Sequence, residues 1–222
     1  MKYTGCEALL WRVMIAPMER IAVRCGAAPD RRGWRRETKR LYRAIIARTE
    51  DIGSMGENPL RASLAGGALW IAGWKSSQGR MDVRDFSEMV SACMRTRIMA
   101  LAFAAKSPFT EKAQRGRVES ARRTNAIESP MNWNMEVIPG RDTEEITIIY
   151  RRCGLCELAR REGCGELVPH MCQCDFISVE YMGGRLFRTG TLAEGGSCCD
   201  FYICKKGSHW DRARQAAQRK DG

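Results

Sequence analysis

No stretch of this chain approaches the roughly 20 consecutive apolar residues that cross a bilayer. The longest apolar runs, "ALWIAGW" and "IMALAFAA", are short and flanked by charge. The N-terminal run in "MKYTGCEALLWRVMIAP" is broken by Glu7 and Arg12, and no small-residue cleavage site follows it, so it does not read as a signal peptide. No internal repeat is visible, and no helix-turn-helix, zinc-finger or RNP pattern accompanies the basic residues. Aromatics are scarce at 8%, but hydrophobic residues reach 44% of 222, enough for one substantial core and too many for wholesale disorder. These absences place the protein in the cytoplasm, without a membrane span and with nucleic acid disfavoured as a partner.

Cysteine, by contrast, is abundant. In a reducing compartment the eleven cysteines are thiols, metal ligands or catalytic groups rather than a disulfide framework. Eight of them fall between Cys153 and Cys204, which marks that region as the carrier of the chemistry. The net charge of +11 is concentrated in "RRGWRRETKR" and "KKGSHWDRARQAAQRK". Such clusters can bind phosphate, but without a recognition motif they read as a solvated helix face and a basic tail.

The organisation reads as α+β. Residues 1–125 are a helical region, 126–207 a cysteine-rich α+β region continuous with it, and 208–222 the basic tail. Apolar spacing predicts a helix from about Gly5 to Cys25, kinked or broken at Pro17, and a basic amphipathic helix from Trp34 to Glu50. Asn58 and Pro59 suit the N-cap and N1 of a buried, small-residue helix, "LRASLAGGALWIAGW". Asp82 suits the cap of one long helix running to Ser107-Pro108. From Asn125 onward the period becomes two: Met131, Trp133, Met135 and Val137 alternate with polar residues, and "EEITIIYRRC" follows after a Pro-Gly turn, as in a hairpin. Helices are expected over Leu155 to Glu162 and Glu166 to Tyr181, each stopped by glycine.

The segment "RTGTLAEGGSCCDFYIC" (Arg188 to Cys204) reads as a second hairpin with a two-residue Gly195-Gly196 turn. That register sets Thr191 opposite Asp200, Thr189 opposite Tyr202 and Leu192 opposite Cys199. Cys198 and Cys199 then face opposite ways. Arg188 falls on the apolar face, where it either meets a carboxylate or reaches solvent at the strand end.

The other thiols, Cys153-x-x-Cys156 and Cys172-x-Cys174, are irregular as zinc ligands even with His170, although zinc held by this region stays open. A thioredoxin-like use of Cys153-x-x-Cys156 lacks the following parallel βαβ pattern. On a helix Cys172 and Asp175 share a face, but a carboxylate raises a thiol's pKa, so Cys172 needs a cation or a helix N-terminus to become a nucleophile.

Taken together, "RCGLCELAR", "EGCGELVPHMCQCDF" and "YMGGRLFRTGTLAEGGSCCDFYICKKG" resemble the L-2-amino-thiazoline-4-carboxylic acid hydrolase family, most specifically in "RTGTLAEGG" followed by "CCDF". Phe176 stands where Tyr is the commoner residue, and Cys174 is an additional thiol. The hairpin is similar, more distantly, to the 4-vinyl-reductase-type small-molecule-binding domain. The first resemblance implies hydrolysis of a carboxylated thiazoline to a carbamoyl-cysteine, a step of cysteine metabolism, with a small molecule as partner and no cofactor required. It offers Asp175, Asp200 and Glu194 as bases, Cys172 and Cys199 as nucleophile or acid, Arg188 as the carboxylate clamp, and Thr189 and Thr191 to orient the ring. The alternative is a noncatalytic small-molecule-binding or zinc-stabilised sensor domain.

Overall fold

The computed structural model describes residues 1–220. Its helical half comprises α1 (Gly5–Arg24), α2 (Arg31–Arg48), α3 (Arg61–Ser76), α4 (Val83–Met94), α5 (Arg97–Ala104) and α6 (Glu111–Asn125). The second half contains β1 (Asn134–Pro139), β2 (Glu145–Arg152), α7 (Gly154–Arg161), α8 (Val168–Met171), α9 (Cys174–Tyr181), β3 (Gly184–Phe187), β4 (Cys199–Lys205) and α10 (Arg212–Lys220). The four strands form one antiparallel sheet in the order β1-β2-β4-β3. This is the α+β architecture that the change of period indicates. No helix among the described residues is long and apolar enough to cross a membrane.

Several local expectations are corrected. Helix α1 runs without interruption through Pro17, which is itself buried, because Leu10, Met14, Ile15, Met18 and Ile21 bury on both sides of it. Burial of that stripe outweighs the one backbone hydrogen bond that proline removes. Asn58 caps, but as a buried turn residue: its Oδ1 accepts from Leu60 N–H at 3.0 Å, and α3 begins only at Arg61. The single helix expected after Asp82 is two. Thr96 interrupts it and caps α5 by accepting from Met99 N–H, a bond that competes with helix continuation. The helix expected from Glu166 to Tyr181 is likewise broken between Met171 and Cys174. Helix α6, capped by Thr110, has no counterpart in the sequence reading.

The buried small-residue helix is borne out. Its glycines let neighbours approach: a β-carbon on Gly67 would lie 2.1 Å from Leu155 Cδ1, and one on Gly73 would lie 2.5 Å from Met18 Cε. Helix α3 is therefore the central post against which α1, α2 and α7 pack.

One face of the sheet, with Ile146, Ile148, Tyr150, Leu186, Cys199, Phe201 and Ile203, joins the helical core. The other face is covered too. Residues 208–222, read as a basic tail, hold α10, whose Gln215 amide N–H donates to the backbone carbonyls of Phe187 and Asp200 and whose Gln218 Oε1 accepts from the Thr147 hydroxyl. Residues 221 and 222 of that segment lie outside the described residues. Every residue of β4 except Lys205 is buried as a result.

The second hairpin is present with a different register. Phe187 pairs with Tyr202 and Gly184 with Lys205, so the strands separate before Arg188. Thr189 and Thr191 are therefore not strand residues. Residues 188–198 form an excursion that includes a short 3-10 turn at Leu192–Glu194. Gly195 closes that turn at φ +83°, and Gly196 lets its chain pass Thr191, whose carbonyl oxygen would lie 2.9 Å from an added β-carbon. The two glycines serve one positive φ and one close approach rather than the two positive φ values of a two-residue turn.

Candidate active site

A cavity of ≈ 180 Å3 lies between the apolar face of the sheet and the helices. The second half of the chain lines it with Tyr150, Cys153, Leu155, Met171, Cys172, Cys174, Asp175, Arg188, Thr191, Cys199 and Phe201. The helical half contributes nearly as much, including Leu10, Met14, Ser63, Trp70, Met94, Met99 and Phe103.

The break between α8 and α9 shapes the polar end. Cys172 ends α8, and Asp175 lies in the first turn of α9. The two are therefore not stacked on one helix, yet both reach the cavity. Arg188 ties the break together: its Nη1 donates to the Cys172 carbonyl at 3.1 Å and to Asp175 Oδ2 at 3.2 Å. Its guanidinium lies over the Phe176 ring at 4.6 Å and the Phe201 ring at 5.7 Å. The arginine on the apolar face is thus satisfied by a carboxylate and by aromatic faces rather than by solvent, with only 9% of its side chain exposed. Neither its Nε nor its Nη2 has a hydrogen-bond partner among the described residues.

Asp175 keeps 31% of its side-chain surface open and lines the cavity. Burial raises its pKa to about 6, against the opposing pull of Arg188. A carboxylate in this condition is ionised near neutrality yet basic enough to accept a proton. The thiols behave differently. Burial and the Asp175 charge push Cys172 far above its ordinary value. Burial pushes Cys199 up to about 11, although Leu192 N–H donates to its sulfur at 3.2 Å. Both stay protonated near neutral pH, so neither is a ready nucleophile. Cys153, half-buried and hydrogen-bonded to Cys156, is also raised, and the Cys153 side chain lowers Cys156 through the same hydrogen bond.

The remaining candidates are placed elsewhere. Asp200 lies on the opposite face of β4, 1% exposed, and accepts from Thr189 N–H, Thr189 Oγ1–H, Gly190 N–H and Gln215 Nε2–H at 2.7–3.2 Å. Thr189 is committed to that carboxylate and accepts from Arg219. Thr191 lines the cavity, but its hydroxyl donates to Glu194 Oε2 at 2.6 Å, which makes Glu194 a partner of the turn rather than part of the cavity wall. Cys198 and Cys199 do separate: Cys199 lines the cavity and Cys198, fully buried, does not. Among the described residues no three histidine, cysteine, aspartate or glutamate side chains gather within reach of one metal ion.

Sequence reasoning missed the helical half of the wall. Trp70 and Phe103 carry no chemical signature. The signal that could have found them is the apolar density of α3 and of "IMALAFA", beyond what pairing with their nearest neighbours in sequence would bury.

A partly open cavity with one carboxylate–guanidinium pair in a mostly apolar and sulfur-rich wall is the form of a small-molecule site. The family model for L-2-amino-thiazoline-4-carboxylic acid hydrolase matches residues 77–203, more than half of the chain, and the protein belongs to that family. The match spans Asp175, Arg188 and Cys199. Searches of curated proteins and of solved structures return no match.

Proposed function

We propose that this protein hydrolyses a small carboxylated heterocycle, with L-2-amino-thiazoline-4-carboxylate as the first substrate to test. The observation that carries this reading is the Asp175–Arg188 pair on the wall of the cavity between sheet and helices. Arg188 uses only one of its terminal nitrogens on the protein, which leaves Nε and Nη2 to bind the substrate carboxylate. Asp175, ionised above its raised pKa, takes a proton from water as the oxygen bonds to the ring carbon between sulfur and nitrogen. That proton passes to the leaving sulfur or nitrogen as the ring bond breaks, giving a carbamoyl-cysteine at the cost of one water. Cys172 and Cys199, held as neutral thiols, form the wall and are weak donors toward the leaving atom.

Product analysis by mass spectrometry after incubation with the thiazoline tests this. Wild-type protein should yield a carbamoyl-cysteine, and Asp175→Asn should not. Tight binding of the thiazoline without turnover by the wild type would establish the binding-module alternative in place of the hydrolase.

A further inference from the structure

The cavity is polarised. Its charged groups come from one side of the site, Asp175 from α9 and Arg188 from the excursion after β3, beside the hydroxyls of Thr191 and of Tyr150 from β2. The wall built by α1, α3, α4 and α5 is mostly apolar; its side-chain polar groups are the Ser63 hydroxyl and the Trp70 Nε1–H, which is buried without a hydrogen-bond partner. A bare aminothiazoline carboxylate is polar over most of its surface. It would satisfy the Arg188 end and set its amino group in a wall made mainly of methionine and aromatic side chains, where few groups replace the lost water.

We infer that the preferred ligand is a carboxylate with an aryl substituent: the carboxylate on Arg188, the aryl body against Met14, Trp70, Met94, Met99 and Phe103. This deepens the proposed function and rests on it for the role of Arg188. Polarisable thioethers and aromatic faces suit an aromatic ring better than an aliphatic one. Helix α5 is the selective element. It supplies Met99 and Phe103 to the wall, yet none of its residues is buried, and Ile98 and Leu101 are exposed at 55% and 62%. Substitutions on α5 therefore change the cavity without removing core.

Isothermal titration of the full chain with 2-phenyl-thiazoline-4-carboxylate and 2-amino-thiazoline-4-carboxylate, alongside turnover of the amino compound, tests the inference. The phenyl compound should bind about tenfold tighter or better. Phe103→Ser should remove that preference by weakening the phenyl compound about tenfold. Equal affinities, tighter binding of the amino compound, or a preference untouched by Phe103→Ser would overturn it. If the amino compound is turned over but the phenyl compound does not bind, the hydrolase reading survives and this inference fails. If the phenyl compound binds tightly and the amino compound is not hydrolysed, the inference survives and that substrate assignment fails.

Discussion

Asp175 and Asp200 are carboxylates on opposite sides of the same strand, the first half-buried and the second fully buried, and their surroundings are opposite in kind. Asp200 is enclosed by two backbone N–H groups, a hydroxyl and an amide. Its capacity to accept hydrogen bonds is consumed in fixing the start of the excursion after β3 and in fastening α10 to the sheet. Asp175 has one arginine, a raised pKa and an open cavity beside it. The difference teaches that burial of a carboxylate does not make a site. Unspent hydrogen-bonding capacity facing a space does.

The comparison breaks most severely through activity. Asp175→Asn should lower kcat/KM for the thiazoline by about 10²- to 10⁴-fold while leaving the circular dichroism spectrum unchanged. A small effect here would remove the contrast between the two residues. Asp200→Ala should do the reverse, destabilising the protein by about 2–4 kcal/mol through four orphaned donors, read as a lower urea midpoint. Arg188→Lys should raise KM about tenfold with a smaller effect on kcat, because an ammonium cannot present the guanidinium fork; initial-rate kinetics separate the two.

The pH dependence is subtler. Because the pKa of Asp175 is raised to about 6, kcat/KM should rise as pH increases through about 6 and level off above it. Stability carries the opposite sign. A folded-state pKa above the unfolded value means that the folded chain binds the proton more tightly, so the contribution of Asp175 falls as pH rises from about 4 through about 6. Urea titrations at several pH values should show wild-type stability declining relative to Asp175→Asn across that window. The smallest effect is expected from Cys199→Ser: with its thiol raised to about 11 it does not act as a thiolate, and kcat should change by less than about tenfold.

How far the sequence carried the reading differs by element. The β1–β2 hairpin was legible as a pair because alternation and a Pro-Gly turn coincide, although β1 begins only at Asn134, after Met131 and Trp133, and its register shifts between Asn134 and Met135. The β3–β4 hairpin was legible as a pair but not in register, because Gly195 and Gly196 imitate a two-residue turn while serving a 3-10 turn. Successive residues of a strand point to opposite faces whatever the pairing, which is why Cys199 and Asp200 still fall on opposite sides as expected. The break at Cys172 was not legible, since the apolar pattern of "LVPHMCQCDFISVEY" runs straight across it.

Of the site, sequence pointed to the residues that bear chemistry and could not rank them. Asp175, Asp200 and Glu194 were equal as bases until hydrogen bonding distinguished them, and α10 did much of that through Gln215. Local pattern by itself determined that the protein is α+β, that its cysteines concentrate in one segment, and that Arg188 would need an anion or a route to water. These follow from neighbours a few residues apart, where period and side-chain chemistry act directly. Only the tertiary structure decided that Arg188 meets Asp175, that Asp200 is sealed under the C-terminal helix, and that the helical half furnishes the apolar wall. Those outcomes depend on packing between segments up to about two hundred residues apart, such as Leu10 and Phe201 around one cavity, and no local periodicity encodes which buried face meets which.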